Sequence, residues 1–214
     1  MADEISPKNV SKHFAIRWQP DKNWYTTKIT GIEDKEQKYM FIDNGKTFRD
    51  HEMMCEAIYK IGAKTVLINQ ESAKPKNYIE GKNLDFIILK KPDDEFLLKY
   101  LIKSKCILIP AKKDPNKELL GPIGITSFMD AIALGMPVIC SNNLCFSEDV
   151  DKFTLGITYP AGDEKAFYQA LNKMYRDTQF YKTCCYNMKN YAKDKDISIY
   201  TKEIWNIIYN CVKK

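Results

Sequence analysis

Thr126 and Asp130 stand four residues apart in Gly124-Ile-Thr-Ser-Phe-Met-Asp130, so on a helix they stack one turn above the other. Gly124 allows another group to approach the backbone where the first helical N–H groups, at Gly124, Ile125 and Thr126, still lack partners. Unpaired N–H groups, a hydroxyl and the positive end of a helix dipole together favour a phosphate. Asp130 lies about 6 Å further along the axis, an offset at which a carboxylate can accept bonds from the hydroxyls of a ribose carried by that phosphate. The same pattern fits a capped core helix whose Asp faces solvent, and spacing alone does not separate the two. A second pair of chemistry-bearing residues, Lys46 and Arg49, follows Asn44-Gly45. Cations beside a helix N-terminus can neutralise two phosphates and stabilise a departing one. Taken alone, a Lys and an Arg in a loop are more often simply solvated charges.

The surrounding residues supply the elements that such groups need. Between Leu119 and Asn142, Ile125, Phe128, Met129, Ile132 and Ala133 recur at helical spacing and predict one inward face. Gly135 fits a left-handed stop, Pro137 prevents continuation, and Val138 to Cys140 is a short apolar run suited to a strand covered on both faces. Upstream, Tyr39 to Asn44 reads as the first buried strand, with Asn44-Gly45 as its turn. A helical period follows from Asp50 to Ile61, with Met53, Met54, Ala57, Ile58 and Ile61 inward, so a βα turn is preferred to a hairpin. Further strands are expected at Thr65–Asn69, Asp85–Leu89, Cys106–Pro110 and Leu155–Pro160, with a capped turn at Ser147–Val150. A helix started by Pro92 carries Phe96, Leu97, Tyr100 and Leu101 inward; one from Asp163 carries Phe167, Ala170, Leu171, Met174 and Tyr175. Two more helical patterns run from about Gln179 to Ala192 and from Ser198 to Cys211. This alternation predicts an α/β fold, a parallel sheet with helices on both faces. The long polar loop Ala111 to Glu118 follows a strand, where α/β folds place ligands. Met1 to Lys12 is expected to fray, and His13 to Arg17 to form a short strand.

The run from Gly124 to Ile139, Gly-Ile-Thr-Ser-Phe-Met-Asp-Ala-Ile-Ala-Leu-Gly-Met-Pro-Val-Ile, resembles the donor-site signature of family 4 glycosyltransferases. Those are retaining enzymes of the GT-B fold, built from two Rossmann-like domains. In them a helix with Glu-Ala-Met-Ala-x-Gly-x-Pro-Val holds the nucleotide of a sugar donor, and the resemblance places Asp130 at the glutamate that grips the ribose. The sequence departs from the family at the first glutamate of the pair: eight residues before Asp130 stands Pro122, and Glu118 is out of register. Gly45-Lys-Thr-Phe-Arg-Asp50 resembles the Gly-Arg-Thr-x-Arg-Asp form of the family's first βα loop, whose two basic side chains meet the donor diphosphate. Lys46 keeps the charge of the commoner arginine and loses its bidentate fork.

The resemblance implies that Leu89 to Lys91 pass the nucleobase, mostly through backbone groups, although Lys90 and Lys91 could equally be solvated. Trp18 to Tyr25 resembles the Trp-Gly-x-Asp-x-x-Phe-Tyr passage between the two domains, and equally suits an aromatic loop packed on a domain edge. Residues 1–37 would then be a tail and an interdomain-type linker. Residues 38–214 would be a Rossmann-like nucleotide-sugar-binding domain, the C-terminal half of a GT-B fold, followed by C-terminal helices. The last helix would cross toward the N-terminal domain through Ile204, Trp205, Ile208 and Tyr209. Lys46 and Arg49 would act on the leaving diphosphate. Gly45, Lys46, Arg49, Leu89, Lys90, Gly124, Ile125, Thr126 and Asp130 would bind the nucleotide sugar, a UDP-sugar rather than a GDP-sugar by frequency in the family.

No separate cofactor and no metal are expected, because there is no Asp-x-Asp motif and the basic groups can take a metal's role. A complete enzyme needs a further N-terminal domain of about 150 residues. Three explanations stand side by side: a split enzyme whose partner is a separate chain carrying the acceptor site, a natural remnant, or an excised piece. Nucleic acid is not an expected partner, and sugar transfer by this chain alone is not expected. The alternative is a non-enzymatic nucleotide-binding or scaffold protein. A dinucleotide oxidoreductase is disfavoured, since no Gly-x-Gly-x-x-Gly follows the first strand.

Composition sets the outer bounds. A hydrophobic share of 44% suffices for a sizeable core and argues against disorder throughout. The net charge of +5 comes mostly from scattered lysines, which suits a phosphate-bearing ligand, an anionic surface or simply a lysine-rich soluble protein. Seven cysteines, an odd number with no Cys-x-x-Cys, read as buried reduced thiols and a cytoplasmic setting. Only His13 and His51 occur, which argues against a histidine-based metal site. No apolar run approaches the ~18 residues of a membrane span and no signal peptide is visible, so at most peripheral membrane contact is expected. Glu203 interrupts the last helix as a membrane-surface element.

Overall fold

Short apolar strands alternate with amphipathic helices, and the computed structural model, which describes residues 18–91 and 93–212, joins the strands into one parallel sheet. The strands are β1 (Tyr39–Asp43), β2 (Thr65–Asn69), β3 (Leu84–Ile88), β4 (Ser104–Ile109), β5 (Val138–Ser141) and β6 (Gly156–Tyr159). The helices are α1 (Lys22–Thr30), α2 (His51–Ile61), α3 (Asp94–Leu101), α4 (Ile125–Leu134), α5 (Ser147–Lys152), α6 (Glu164–Arg176), α7 (Thr178–Tyr191) and α8 (Ile197–Val212). Strand order is β3-β2-β1-β4-β5-β6, and every pairing is parallel. This is a Rossmann-like winding, and its direction reverses between β1 and β4. The carboxyl ends of those two strands are the place where such sheets bind ligands.

Strand side chains alternate between two buried faces. Ile42, Val66, Ile107 and Val138 pack with Leu98 of α3 and with Phe128 and Ile132 of α4. Phe41, Leu67, Leu108 and Ile139 pack with Met54 and Ile58 of α2 and Phe167 of α6. The parallel sheet with helices on both faces and the C-terminal helices therefore agree with the sequence expectation. The expected strand at His13 to Arg17, the tail before it and Pro92 lie outside the described residues; Asp93 caps α3 by accepting from the Phe96 N–H at 2.9 Å.

Four details differ from the sequence reading. The Trp18 to Tyr25 passage packs Trp24 and Tyr25 on the core, but only its first half is a loop: Asp21 accepts from the Trp24 N–H at 3.0 Å and starts α1. The turn at Ser147 continues as helix α5 to Lys152. Tyr175, expected inward, is 37% exposed at the end of α6, where the Arg176 guanidinium lies 4.8 Å from its ring. On α4 the fully buried residues are Ser127, Phe128, Ala131 and Ile132, whereas Ile125, Met129 and Ala133 are half-buried. That helix is rotated by about one residue from the purely apolar stripe, because Ser127 has polar partners inside the fold.

All seven cysteines are free: Cys55, Cys106, Cys140 and Cys184 are buried, Cys145 and Cys185 half-buried, and Cys211 exposed. Burial pushes the Cys55 and Cys184 thiols up to about 12, and raises Cys106 and Cys140 as well. Since the thiolate is the reactive form, native protein should release one equivalent rapidly to a thiol reagent, from Cys211. The four buried thiols should react only on denaturation, and rapid modification of all seven in folded protein would contradict this packing.

Candidate functional site

The site begins at the carboxyl end of β1. Asp43 is fully buried, and its Oδ1 accepts from the Gly45 N–H at 2.7 Å. Arg49 Nε lies 3.7 Å from the same oxygen, and His51 Nε2 lies 3.3 Å from Oδ2. Arg49 is itself only 6% exposed. The backbone turns it inward at Phe48, whose φ of 57° is left-handed, a conformation costing a non-glycine residue on the order of 1 kcal/mol. Two bonds hold that turn against the segment after β4: the Phe48 carbonyl accepts from Lys112 N–H at 2.9 Å, and Asp50 N–H donates to the Pro110 carbonyl at 2.7 Å. Local strain of this kind is maintained where surrounding structure enforces it, often at functional sites.

Gly45 makes room for the arginine, since a Cβ at that position would overlap the guanidinium. The Asn69 amide donates to the Gly45 carbonyl at 2.8 Å and fixes the turn from the β2 side.

Opposite this loop lies the start of α4. Gly124 has φ 77° and no side chain caps the helix. A Cβ on Gly124 would stand 2.7 Å from Ile109 Cγ2 and 3.3 Å from Arg49 Nη1, so the arginine reaches the helix start. From there a polar chain runs along α4. Arg49 Nη2 donates to Ser127 Oγ at 3.3 Å, and the Ser127 hydroxyl donates to Asn44 Oδ1 at 2.7 Å. Asn44 Nδ2 donates to Asp130 Oδ2 at 2.8 Å, and the Tyr25 hydroxyl donates to Asp130 Oδ1 at 2.5 Å. Arg49 Nη1 is buried and makes no hydrogen bond. A desolvated guanidinium N–H beside an uncapped helix start is suited to an anion.

Desolvation is the main influence on Asp130, pushing its carboxyl from 3.8 up to about 6, against the opposing hydrogen bonds from Tyr25 and Asn44. Burial and the neighbouring carboxylate likewise raise the Tyr25 phenol.

The residues singled out by sequence are distributed as follows. Gly45, Arg49, Gly124 and Asp130 converge at the switch point. Ile125 is half-buried against the core, while Lys46 and Thr126 are exposed on the loop and on the outer side of α4. Leu89 and Lys90 follow β3 at the sheet edge, two strands from β1, with Leu89 N–H donating to the Asn69 carbonyl at 2.8 Å. Asp43, Asn44, His51, Ser127 and Tyr25 were not anticipated as site residues. Asn44 signals a strand end and a turn in sequence, and Ser127 precedes Asp130 by one helical turn, a spacing that marks it as a neighbour. Among the described residues no group of three or more His, Cys, Asp or Glu side chains could hold a metal ion, and no helix is long and apolar enough to cross a membrane.

No protein-family model matches the chain, and no curated protein sequence does. Its architecture is similar to that of sucrose-phosphate synthase from Thermosynechococcus elongatus, at 14% identity and a TM-score of 0.71 over 99% of this chain and 57% of that one. It is also similar to Anabaena HepE in complex with UDP and glucose, at 13% identity and a TM-score of 0.69 over 91% and 56% of the two chains. A glycosyltransferase from Rickettsia africae aligns at 10% identity and a TM-score of 0.69 over 94% and 57%. These likenesses establish a shared fold, that of GT-B glycosyltransferases, and this chain spans little more than half the length of each of the three.

Two stability measurements test the site. Arg49→Met should cost about 3–5 kcal/mol, as removal of one member of a buried pair does, and Asp43→Asn in that background should recover much of the loss. Additive losses would mean that the two charges are not coupled. For Asp130, a folded carboxyl near 6 against 3.8 unfolded means that the folded state binds the proton more tightly. Its contribution to stability is therefore full below pH 4 and lost as pH rises through 6, by at most ~3 kcal/mol at ~1.4 kcal/mol per unit. Urea unfolding at pH 4.5 and 7 should show this slope flattened in Asp130→Asn, and an unchanged slope would place the titration elsewhere.

Proposed function

We propose that this chain is the nucleotide-sugar-binding half of a retaining glycosyltransferase of the family 4 type. The observation that carries this reading is Arg49 Nη1, buried without a hydrogen-bond partner beside the uncapped start of α4 and at the point where the sheet reverses direction. In this reading a diphosphate lies between the two loops. It takes N–H groups at the start of α4, with that of Ile125 giving up its 3.4 Å bond to the Pro122 carbonyl, the guanidinium of Arg49 and, from the exposed rim, the ammonium of Lys46. Asp130 serves the ribose and the Leu89–Lys90 backbone serves the base. UDP is preferred to GDP, a choice supported by the similarity to HepE, whose structure contains UDP and glucose.

The chemistry proposed for these residues is electrostatic. As the bond between the sugar and its diphosphate breaks, negative charge grows on the departing phosphate oxygens. Arg49, Lys46 and the α4 dipole stabilise that charge more than they stabilise the bound donor, which is the condition for acceleration. Transfer also needs an acceptor hydroxyl held beside the donor carbon, positioning that contributes roughly 7–11 kcal/mol. We assign that surface to a further α/β domain, on the same polypeptide or another. Pro122, standing where the family signature has its first glutamate, favours a second reading in which the chain binds a nucleotide without turnover.

Calorimetry separates these readings from a purely structural role for the loops. UDP, UDP-glucose and pyrophosphate should bind. Arg49→Lys should weaken UDP about tenfold or more while leaving free uridine nearly unchanged, in line with the 1.5–3 kcal/mol typical of hydrogen bonds to charged groups. No heat from any nucleoside diphosphate or its sugar at millimolar concentration, or an equal loss for uridine and UDP, would overturn the proposal. Slow donor hydrolysis would distinguish an enzyme half from a binding protein.

A further inference from the structure

Both carboxylate oxygens of Asp130 are already engaged within the chain, Oδ2 by the Asn44 amide and Oδ1 by the Tyr25 phenol. Tyr25 comes from α1, which lies 105 residues away in sequence and has no fully buried residue. Polar clips hold α1 in place. Ile197 N–H donates to the Pro20 carbonyl at 2.9 Å, Lys22 N–H to Asp196 Oδ2 at 3.3 Å and Lys22 Nζ to the Ala192 carbonyl at 2.9 Å, while Lys28 pairs with Glu95 at 2.5 Å. Trp24, Tyr25 and Ile29 add partly buried apolar contact. Such an element can be displaced far more cheaply than a core helix.

We propose that Tyr25 determines what the anion site accepts beyond its phosphates. The phenol is a neutral O–H donor, chemically equivalent at a carboxylate to a sugar hydroxyl, and it occupies the position on Asp130 Oδ1 that a ribose hydroxyl would take. With Tyr25 in place the site admits a diphosphate alone. A nucleoside diphosphate is admitted in full only when its ribose replaces the phenol, so Tyr25 discriminates between ligands that share the same phosphates. The inference rests on the proposed phosphate site, and its test keeps the two apart.

The test compares UDP with inorganic pyrophosphate by calorimetry on the full chain and on Tyr25→Phe and Tyr25→Ala. The first variant removes the hydroxyl and keeps the ring; the second also removes the ring. UDP affinity should rise about tenfold in both, while pyrophosphate should stay within twofold of its value in the parent chain. An unchanged or lowered ratio of UDP to pyrophosphate affinity would overturn the inference, since Tyr25 would then be holding Asp130 ready for the ligand. Pyrophosphate failing to bind the parent chain would defeat the phosphate site itself, and this inference with it. Trp24, whose ring meets Tyr25 edge-on at 4.9 Å, gives an independent signal. With Trp18 and Trp205 replaced by phenylalanine, UDP should shift the remaining indole emission and pyrophosphate should not. UDP binding with no shift would also overturn the inference.

Discussion

A guanidinium enclosed to the last few per cent of its surface needs a counter-charge within reach, and Asp43 provides it from the end of β1. The rest of the site follows from that pairing. The arginine can approach its carboxylate only across a residue without a side chain, which is Gly45, and only from a backbone turned against its preference at Phe48. The turn in turn depends on its bonds to the segment after β4, so the two strands at the switch point are connected through their exits as well as through the sheet. What remains of the guanidinium, after Asp43 and Ser127 have been served, faces the start of α4.

Much of this was legible in the sequence. Alternating apolar strands and helical stripes predicted the parallel sheet, and Gly124 and Gly135, both at positive φ, bracket α4 as their positions suggested. Arg49 and Asp130 were singled out because two motifs, the βα glycine loop and the glycine-led helix, coincided in one chain; either residue alone reads as a solvated charge. The limits are equally physical. A helical period locates a buried stripe but not which neighbouring residue carries its polar edge, because adjacent positions differ by only 100° around the axis. Thr126 was therefore singled out where Ser127 is the residue that touches Arg49. Tyr25 stood out only as the end of an aromatic passage, with nothing local to pair it with Asp130. Its role comes from α1 folding back onto α4, and α1 has almost no amphipathic pattern to announce where it packs.

Asp130 shows how one carboxylate can serve two demands. Ionised, it accepts from Tyr25 and Asn44 together; enclosed as it is, it holds its proton more tightly than an exposed aspartate would. Such a group is poised between a neutral and a charged form near the acidic edge of the physiological range. The balance rests on α1, the most lightly anchored neighbour it has.

The contact between Gly45 and Arg49 also imposes an order on sequence change. While the arginine keeps this position, a side chain at position 45 overlaps the guanidinium and one of the two must move. Once the arginine has been replaced by something shorter, that exclusion disappears and position 45 can accumulate substitutions that would block the arginine's return. Loss of the basic residue would therefore free the glycine to change, and restoring the original site would need the glycine back before the arginine.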